Sequence, residues 1–158
     1  MKHITLFILL CWSVCTFAQK SAVFRIDSLP KQGIVLDKGW KWHAGDNAEW
    51  AKAEYDDAEW EGIDPTKDIS DLPQIRNAEI GFFRLSIWVD SSVIHKALAL
   101  KIWQTGASEI YLNGQLIHQL GRVSKNHKQE QTLLVQGTPY SILFTKTGQQ
   151  TLAIRYSF

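Results

Sequence analysis

The chain is poor in cysteine: it has two, Cys11 and Cys15, and both lie within the first fifteen positions. No disulfide can therefore staple the rest of the chain, which must build a core of its own. An excess of one charge is also missing. Setting aside Lys2 in the opening segment, the 17 basic residues become 16, against 16 acidic ones. Such a balance exerts no long-range pull on nucleic acid or on an anionic membrane, and no nucleic-acid partner is expected. Beyond the opening segment there is no apolar run of the ~20 residues that a membrane-spanning helix needs. The remainder also lacks G-x-S-x-G, a phosphate-cradling glycine loop and a cysteine nucleophile. His43, His95, His118 and His127 are scattered without metal-ligand spacing, so no metal is expected. These absences leave no motif-based argument that the chain by itself is an enzyme.

The opening segment is distinctive. Met1-Lys2-His3 is followed by an apolar run from Ile4 to about Cys15, and then by Thr16-Phe17-Ala18 before the polar Gln19-Lys20. A basic start, a short apolar centre and a small residue at the cut predict a secretory signal peptide over 1–18, cleaved after Ala18. The product, 19–158, is then periplasmic or secreted. Val14 is bulky where a lipidation motif holds a small residue before its cysteine, so a lipid anchor on Cys15 is not expected. About 140 residues remain, the size of one domain.

In that remainder, period-two alternation outnumbers helical periodicity. Phe83, Leu85, Ile87 and Val89 line one face of a strand whose other face holds Phe82, Arg84, Ser86 and Trp88. Leu98, Leu100 and Ile102 alternate with Ala99, Lys101 and Trp103. Near the end Leu152, Ile154 and Tyr156 alternate with Ala153, Arg155 and Ser157. Asn113-Gly114 separates Ile110 and Leu112 from a returning run over Gln115 to Leu120, and both turn residues tolerate the positive φ of a type I′ hairpin. The segments 44–71 and 121–131 read as long polar connections, the first with room for one helical turn. The pattern predicts an all-β fold, a β-sandwich of jelly-roll type in preference to a closed barrel. Because the chain stops inside a strand pattern, it is expected to be a piece of a longer protein, cut short at its C-terminus.

Three segments concentrate aromatic and charged residues. Trp40, Trp42 and Trp50 fall within a dozen positions; Trp40 and Trp42, two apart, share a strand face and suit a core, while Trp50 in a loop is a candidate ligand platform. Asp56-Asp57-Ala58-Glu59-Trp60 brings carboxylates together. Ca²⁺ takes oxygen ligands and glycosidases use two carboxylates, but the spacing is not that of an EF-hand, and adjacent side chains on an extended chain diverge. Local capping by an Asp, with Trp60 packed inward, is the expectation, and no cofactor is expected. Arg84 either contacts a ligand or pairs with an acid such as Glu109, and Glu109 carries the same two readings.

Taken in order, Gly39-Trp40 through Trp50, Tyr55 through Trp60, Gly81-Phe82-Phe83-Arg84, Ile110 through Gly114 and Leu152-Ala153-Ile154-Arg155 resemble a known set. The set is similar to the galactose-binding-like jelly roll that forms the N-terminal sugar-binding domain of family 2 glycoside hydrolases. The likeness covers about Ile34 to Phe158. The Gly45-Asp46-Asn47 loop and the Gly106 to Tyr111 approach to the hairpin also resemble periplasmic N-terminal domains of Gram-negative membrane sensor proteins. In those proteins, transmembrane helices and a histidine kinase, phosphatase or cyclase output follow. In the hydrolases this domain is not the catalytic one, so the likeness implies scaffold roles for Asp57, Trp60, Arg84, Asn113 and Gly114.

The resulting expectation is a non-catalytic extracytoplasmic domain that binds a small molecule or glycan, with Trp50, Arg84 and Glu109 as ligand contacts. It would serve as the input region of a sensor with a membrane-anchored region further along. The alternatives are an accessory domain of a glycoside hydrolase and a secreted structural or protein-interaction module.

Overall fold

The computed structural model describes residues 23–158; the signal peptide expected over 1–18 lies outside the described residues. Eight strands account for most of the regular structure: β1 (Phe24–Ile26), β2 (Trp40–Ala44), β3 (Glu61–Ile63), β4 (Ile80–Val89), β5 (Leu98–Leu112), β6 (Gln115–Leu120), β7 (Leu133–Ile142) and β8 (Gly148–Ser157). Two 3-10 turns, Ala48–Ala51 and Ile69–Asp71, interrupt the connections. Among the described residues no helix is long and apolar enough to cross a membrane.

The larger layer runs β3-β2-β4-β8-β5-β6, with β1 continuing the β2 edge of β4. All its pairings are antiparallel except β1 with β4. The smaller layer is made by β7 and the first half of β5. Strand β5 thus serves both layers, pairing with β7 over Leu98 to Gly106 and with β8 over Ala107 to Leu112. Gly106 sits at this corner with φ +147. A Cβ there would stand 2.5 Å from the Ser157 carbonyl oxygen and 2.5 Å from the Tyr156 hydroxyl, so only glycine fits. The Tyr156 hydroxyl donates to the Thr105 carbonyl and ties the corner down.

The core between the layers follows from the alternation. Trp40, Trp42, Phe83, Leu85, Ile87, Val89, Ile110 and Leu152 of the larger layer pack toward Val135 and Ile142 of β7, with Leu98, Leu100 and Ile102 partly buried beside them. Loop residues Leu72, Ile75, Val93 and Phe144 close the sides. Burying side chains of this size contributes about 1.5–3 kcal/mol each. Asn113 and Gly114 both have positive φ, at 49° and 81°, as the type I′ turn demands. Asn113 also accepts the Thr151 N–H on Oδ1 at 2.8 Å, which fastens the turn to β8.

The β-sandwich agrees with the sequence expectation, and three local features depart from it. The segment 44–71 was expected to be irregular but for one turn, yet it holds β3 and both 3-10 turns. Strand β7 has no clean alternation because Gly137 and Pro139 interrupt it. Gly137 (φ +73) lies beneath the Trp103 ring, where a Cβ would come within 2.5 Å of Cζ2. The third departure is on β4, whose second face is buried at Phe82 and Arg84. The structure covering that face is the most informative part of the molecule.

Candidate functional site

Residues 47–60 fold back over the outer face of the larger layer. Asn47 caps the first 3-10 turn, its Oδ1 accepting the Glu49 N–H at 3.0 Å. Downstream, Asp56 Oδ1 accepts the Ala58 N–H at 3.0 Å and turns the chain toward Trp60. Ala51, Trp60 and Phe82 form a small second core on this face, with Trp50, Tyr55 and Tyr111 packed around it. The Trp50 ring stands edge-on to Phe82 at 5.5 Å and to Trp60 at 5.3 Å, and His43 lies 4.7 Å from it.

Arg84 holds this cap to the sheet. Its side chain is 2% exposed. Nε donates to Asp57 Oδ2 at 2.8 Å, Nη1 donates to the carbonyls of Trp50 and Lys52, and Nη2 reaches the Tyr55 carbonyl at 3.2 Å. Lys41, beside Arg84 on β2, donates to the other oxygen of the same carboxylate at 2.9 Å and to the Asp57 carbonyl at 2.7 Å. The planar guanidinium lies near the Tyr55 and Trp60 rings, at 5.5 and 5.9 Å. One buried cation thus satisfies three carbonyls of an irregular loop that would otherwise be covered without partners.

A second charged network lies on the same outer face, one strand over. Phe82 of β4, Arg155 of β8 and Glu109 of β5 occupy one row across the sheet. Arg155 grips Asp46 with both Nε (2.7 Å) and Nη2 (2.8 Å), and its Nη1 donates to Glu109 at 3.1 Å. The Tyr111 hydroxyl donates to Glu109 Oε2 at 2.6 Å. The hydrogen bonds from Arg155 hold the Asp46 carboxyl below its ordinary range, and those to Asp46 raise Arg155 in turn. Burial, together with the Glu109 carboxylate, pushes the Tyr111 hydroxyl well up.

The structure therefore brings Trp50, Arg84 and Glu109 to one face and gives each a different setting. Trp50 is half-buried at the rim. Arg84 lies beneath the cap, with its donors engaged inside the protein. Glu109 is half-buried beside Tyr111. The pairing of Arg84 with Glu109 considered from sequence is not formed: Arg84 takes Asp57, and Glu109 takes Arg155. Register explains the exchange, since Arg155 lies directly opposite Glu109 while Arg84 is opposite Lys41 and Ala153. Asp57 and Trp60 secure the cap, and Asn113 and Gly114 form the turn.

Asp46, Arg155, Lys41 and Tyr111 were not identified as site residues from sequence. Alternation placed Arg155 opposite Ile154 and Tyr156, but nothing local pointed to Asp46, 109 positions away. Chemically, the face sets two partly buried aromatic rings, Trp50 and Tyr111, beside charged groups held in fixed positions. That suits hydroxyl groups on a ring with apolar C–H faces. Asp46, held in its ionised form by Arg155, is not poised to give up a proton near neutrality.

Comparison with known proteins adds a fold-level likeness. A β-glucuronidase 2 from Bacteroides uniformis, covalently bound to cyclophellitol-6-carboxylate aziridine, superposes with a TM-score of 0.57 at 19% identity, over 76% of this chain and 14% of the enzyme. A glycosyl hydrolase family 2 member from Bacteroides cellulosilyticus matches with a TM-score of 0.57 at 20% identity, over 76% of this chain and 17% of the other. A Bifidobacterium dentium β-glucuronidase complexed with coumarin-3-O-glucuronide matches at 0.51 and 19% identity, over 75% of this chain and 19% of the enzyme. The shared property is the fold. No protein-family model and no curated protein matches the chain.

Proposed function

We propose that this chain is a non-catalytic carbohydrate-binding domain, exported and belonging as an accessory unit to a longer glycoside hydrolase. The observation that supports this most is the proportion of the matches. Three quarters of the chain corresponds to only 14–19% of each hydrolase, so the likeness is to one domain of a large enzyme. Fold alone does not assign function, and the outer face supplies the chemical reason for a sugar. The Trp50 and Tyr111 rings would pack against C–H faces, while Glu109 and its Arg155–Asp46 partners would meet hydroxyls. Arg84 would act from beneath by fixing the backbone that carries Trp50. The sensor-input reading rests on the sequence resemblance alone.

The test is a binding screen of the protein against soluble oligosaccharides, with calorimetry on any hit. A saturable interaction weakened about tenfold by Glu109→Gln, which keeps the side-chain shape but removes its charge, is the expected result. Absence of binding across the panel would count against the reading. Release of product from chromogenic glycosides by this chain alone would overturn its non-catalytic part.

A further inference from the structure

Six residues along β4 from Phe82, and on the same outer face, stands Trp88, about 20 Å away at ~3.3 Å per residue. It is 40% exposed. Arg25 of β1 flanks it on one side in register, and Gln149 of β8 on the other. The Arg25 guanidinium carbon lies 5.3 Å from the ring centroid, which steadies the ring from the β1 side. Toward β8 the neighbour of Val89 is Gly148, with φ +90, where a Cβ would meet nothing within 4 Å. Beside it lies an open cleft of about 340 Å³ lined by Trp88, Val89, Asp90, Ser91, Thr147 and Gly148. Its volume is at the small end of ligand sites. The Asp90 carboxylate accepts the Ser92 N–H at 2.8 Å and the Ser91 hydroxyl at 3.4 Å. The Ser92 bonds, backbone first, keep Asp90 below its ordinary range, so an ionised acceptor stands at the rim.

We propose that this cleft is a second carbohydrate subsite, packing the C–H face of a neutral pyranose on the Trp88 ring while Asp90, Ser91 and Thr147 meet its hydroxyls. An apolar ligand would strip water from the Asp90 carboxylate, whose Oδ1 alone is engaged by Ser91 and Ser92, at a cost in desolvation. An acidic sugar would face Asp90, and the nearby Arg25 charge is already shared with Asp27 at 3.4 Å. A neutral ring with one apolar face and several hydroxyls fits both halves of the lining. The ligand class rests on the carbohydrate-binding reading above; the location does not.

The test is a nuclear magnetic resonance titration of the isotope-labelled protein with cellopentaose, xylopentaose, mannopentaose and, as an anionic probe, pentagalacturonate. One neutral pentasaccharide is expected to shift the Trp88 indole N–H signal saturably. Trp88→Ala, and Ser91→Trp, which fills the cleft from its exposed rim, should each weaken that binding about tenfold. Trp103→Ala, on the other layer, should leave it unchanged. Shifts confined to the Trp50 and Tyr111 region overturn the second subsite and leave the first reading standing. Silence at both places with every probe overturns both. Binding of pentagalacturonate alone at Trp88 overturns the choice of a neutral sugar.

Discussion

Arg84 and Asp57, 27 positions apart, are joined by an Nε–Oδ2 hydrogen bond of 2.8 Å beneath the aromatic cap. The carboxylate is shared with Lys41, so one anion answers two cations at the bottom of the outer face. The Asp-x-x-Trp loop and the Phe-Phe-Arg strand of this sequence are thus two halves of one fastening.

Removal of either half should be costly. Arg84→Ala leaves Asp57 with Lys41 alone and strips three loop carbonyls of their donor. A loss of about 3–5 kcal/mol in unfolding free energy is expected. Urea denaturation followed by tryptophan fluorescence measures it. A loss below about 1 kcal/mol would mean the cap is held by its aromatic packing.

Asp46 gives stability a definite pH dependence. Its folded pKa lies below the ordinary 3.8 because Arg155 stabilises the carboxylate, so its contribution is complete above that value. The contribution disappears as pH falls through the lowered value. Wild type should melt above Asp46→Asn by a constant margin from neutrality to about pH 5, and the margin should narrow below about pH 4. Thermal scans across that range check it; a margin that widens on acidification contradicts the assigned pairing.

At the corner of β5, Gly106→Ala places a methyl group within 2.5 Å of a backbone oxygen and of the Tyr156 hydroxyl. Neither can move without breaking a ladder or the bond to Thr105. Destabilisation of about 2 kcal/mol or more is expected, read as a lower denaturant midpoint. A fully tolerated alanine would mean that the corner relaxes freely.

The hairpin turn makes a milder prediction. Asn113→Ala loses the bond to the Thr151 N–H and puts alanine at φ 49°. About 2 kcal/mol is expected from the hydrogen bond and the left-handed conformation together. Asn113→Gly should recover part of it, because glycine tolerates the turn. Equal losses for the two variants would place the whole effect in the side-chain bond.

What could be read from the sequence was whatever the chain encodes locally. Alternation in β4 and β8 and the Asn113-Gly114 turn needed only neighbours a few residues apart, and the strands lie where these signals put them. Trp40 and Trp42 are core residues, as their spacing of two suggested. Strand β7 escaped notice because Gly137 serves the Trp103 ring and Pro139 sits in a strand that pairs on one side with β5. The site was harder to read. Trp50 and Glu109 could be picked as residue types, but Arg155 joins Asp46 and Glu109 only through sheet register, which no local pattern specifies.

The ladder between β4 and β8 matches Ile80 with Ser157 and Val89 with Gly148, partners that lie about 60 to 80 positions apart along the chain. A chain emerging in order from its N-terminal end would carry β4 exposed on one edge until the last described strand had been made. Pairings at such separation are slow to find because the intervening loop must first be closed. The domain is therefore expected to fold after synthesis of that strand, late and in one cooperative step, with β4 as its most aggregation-exposed segment in the meantime.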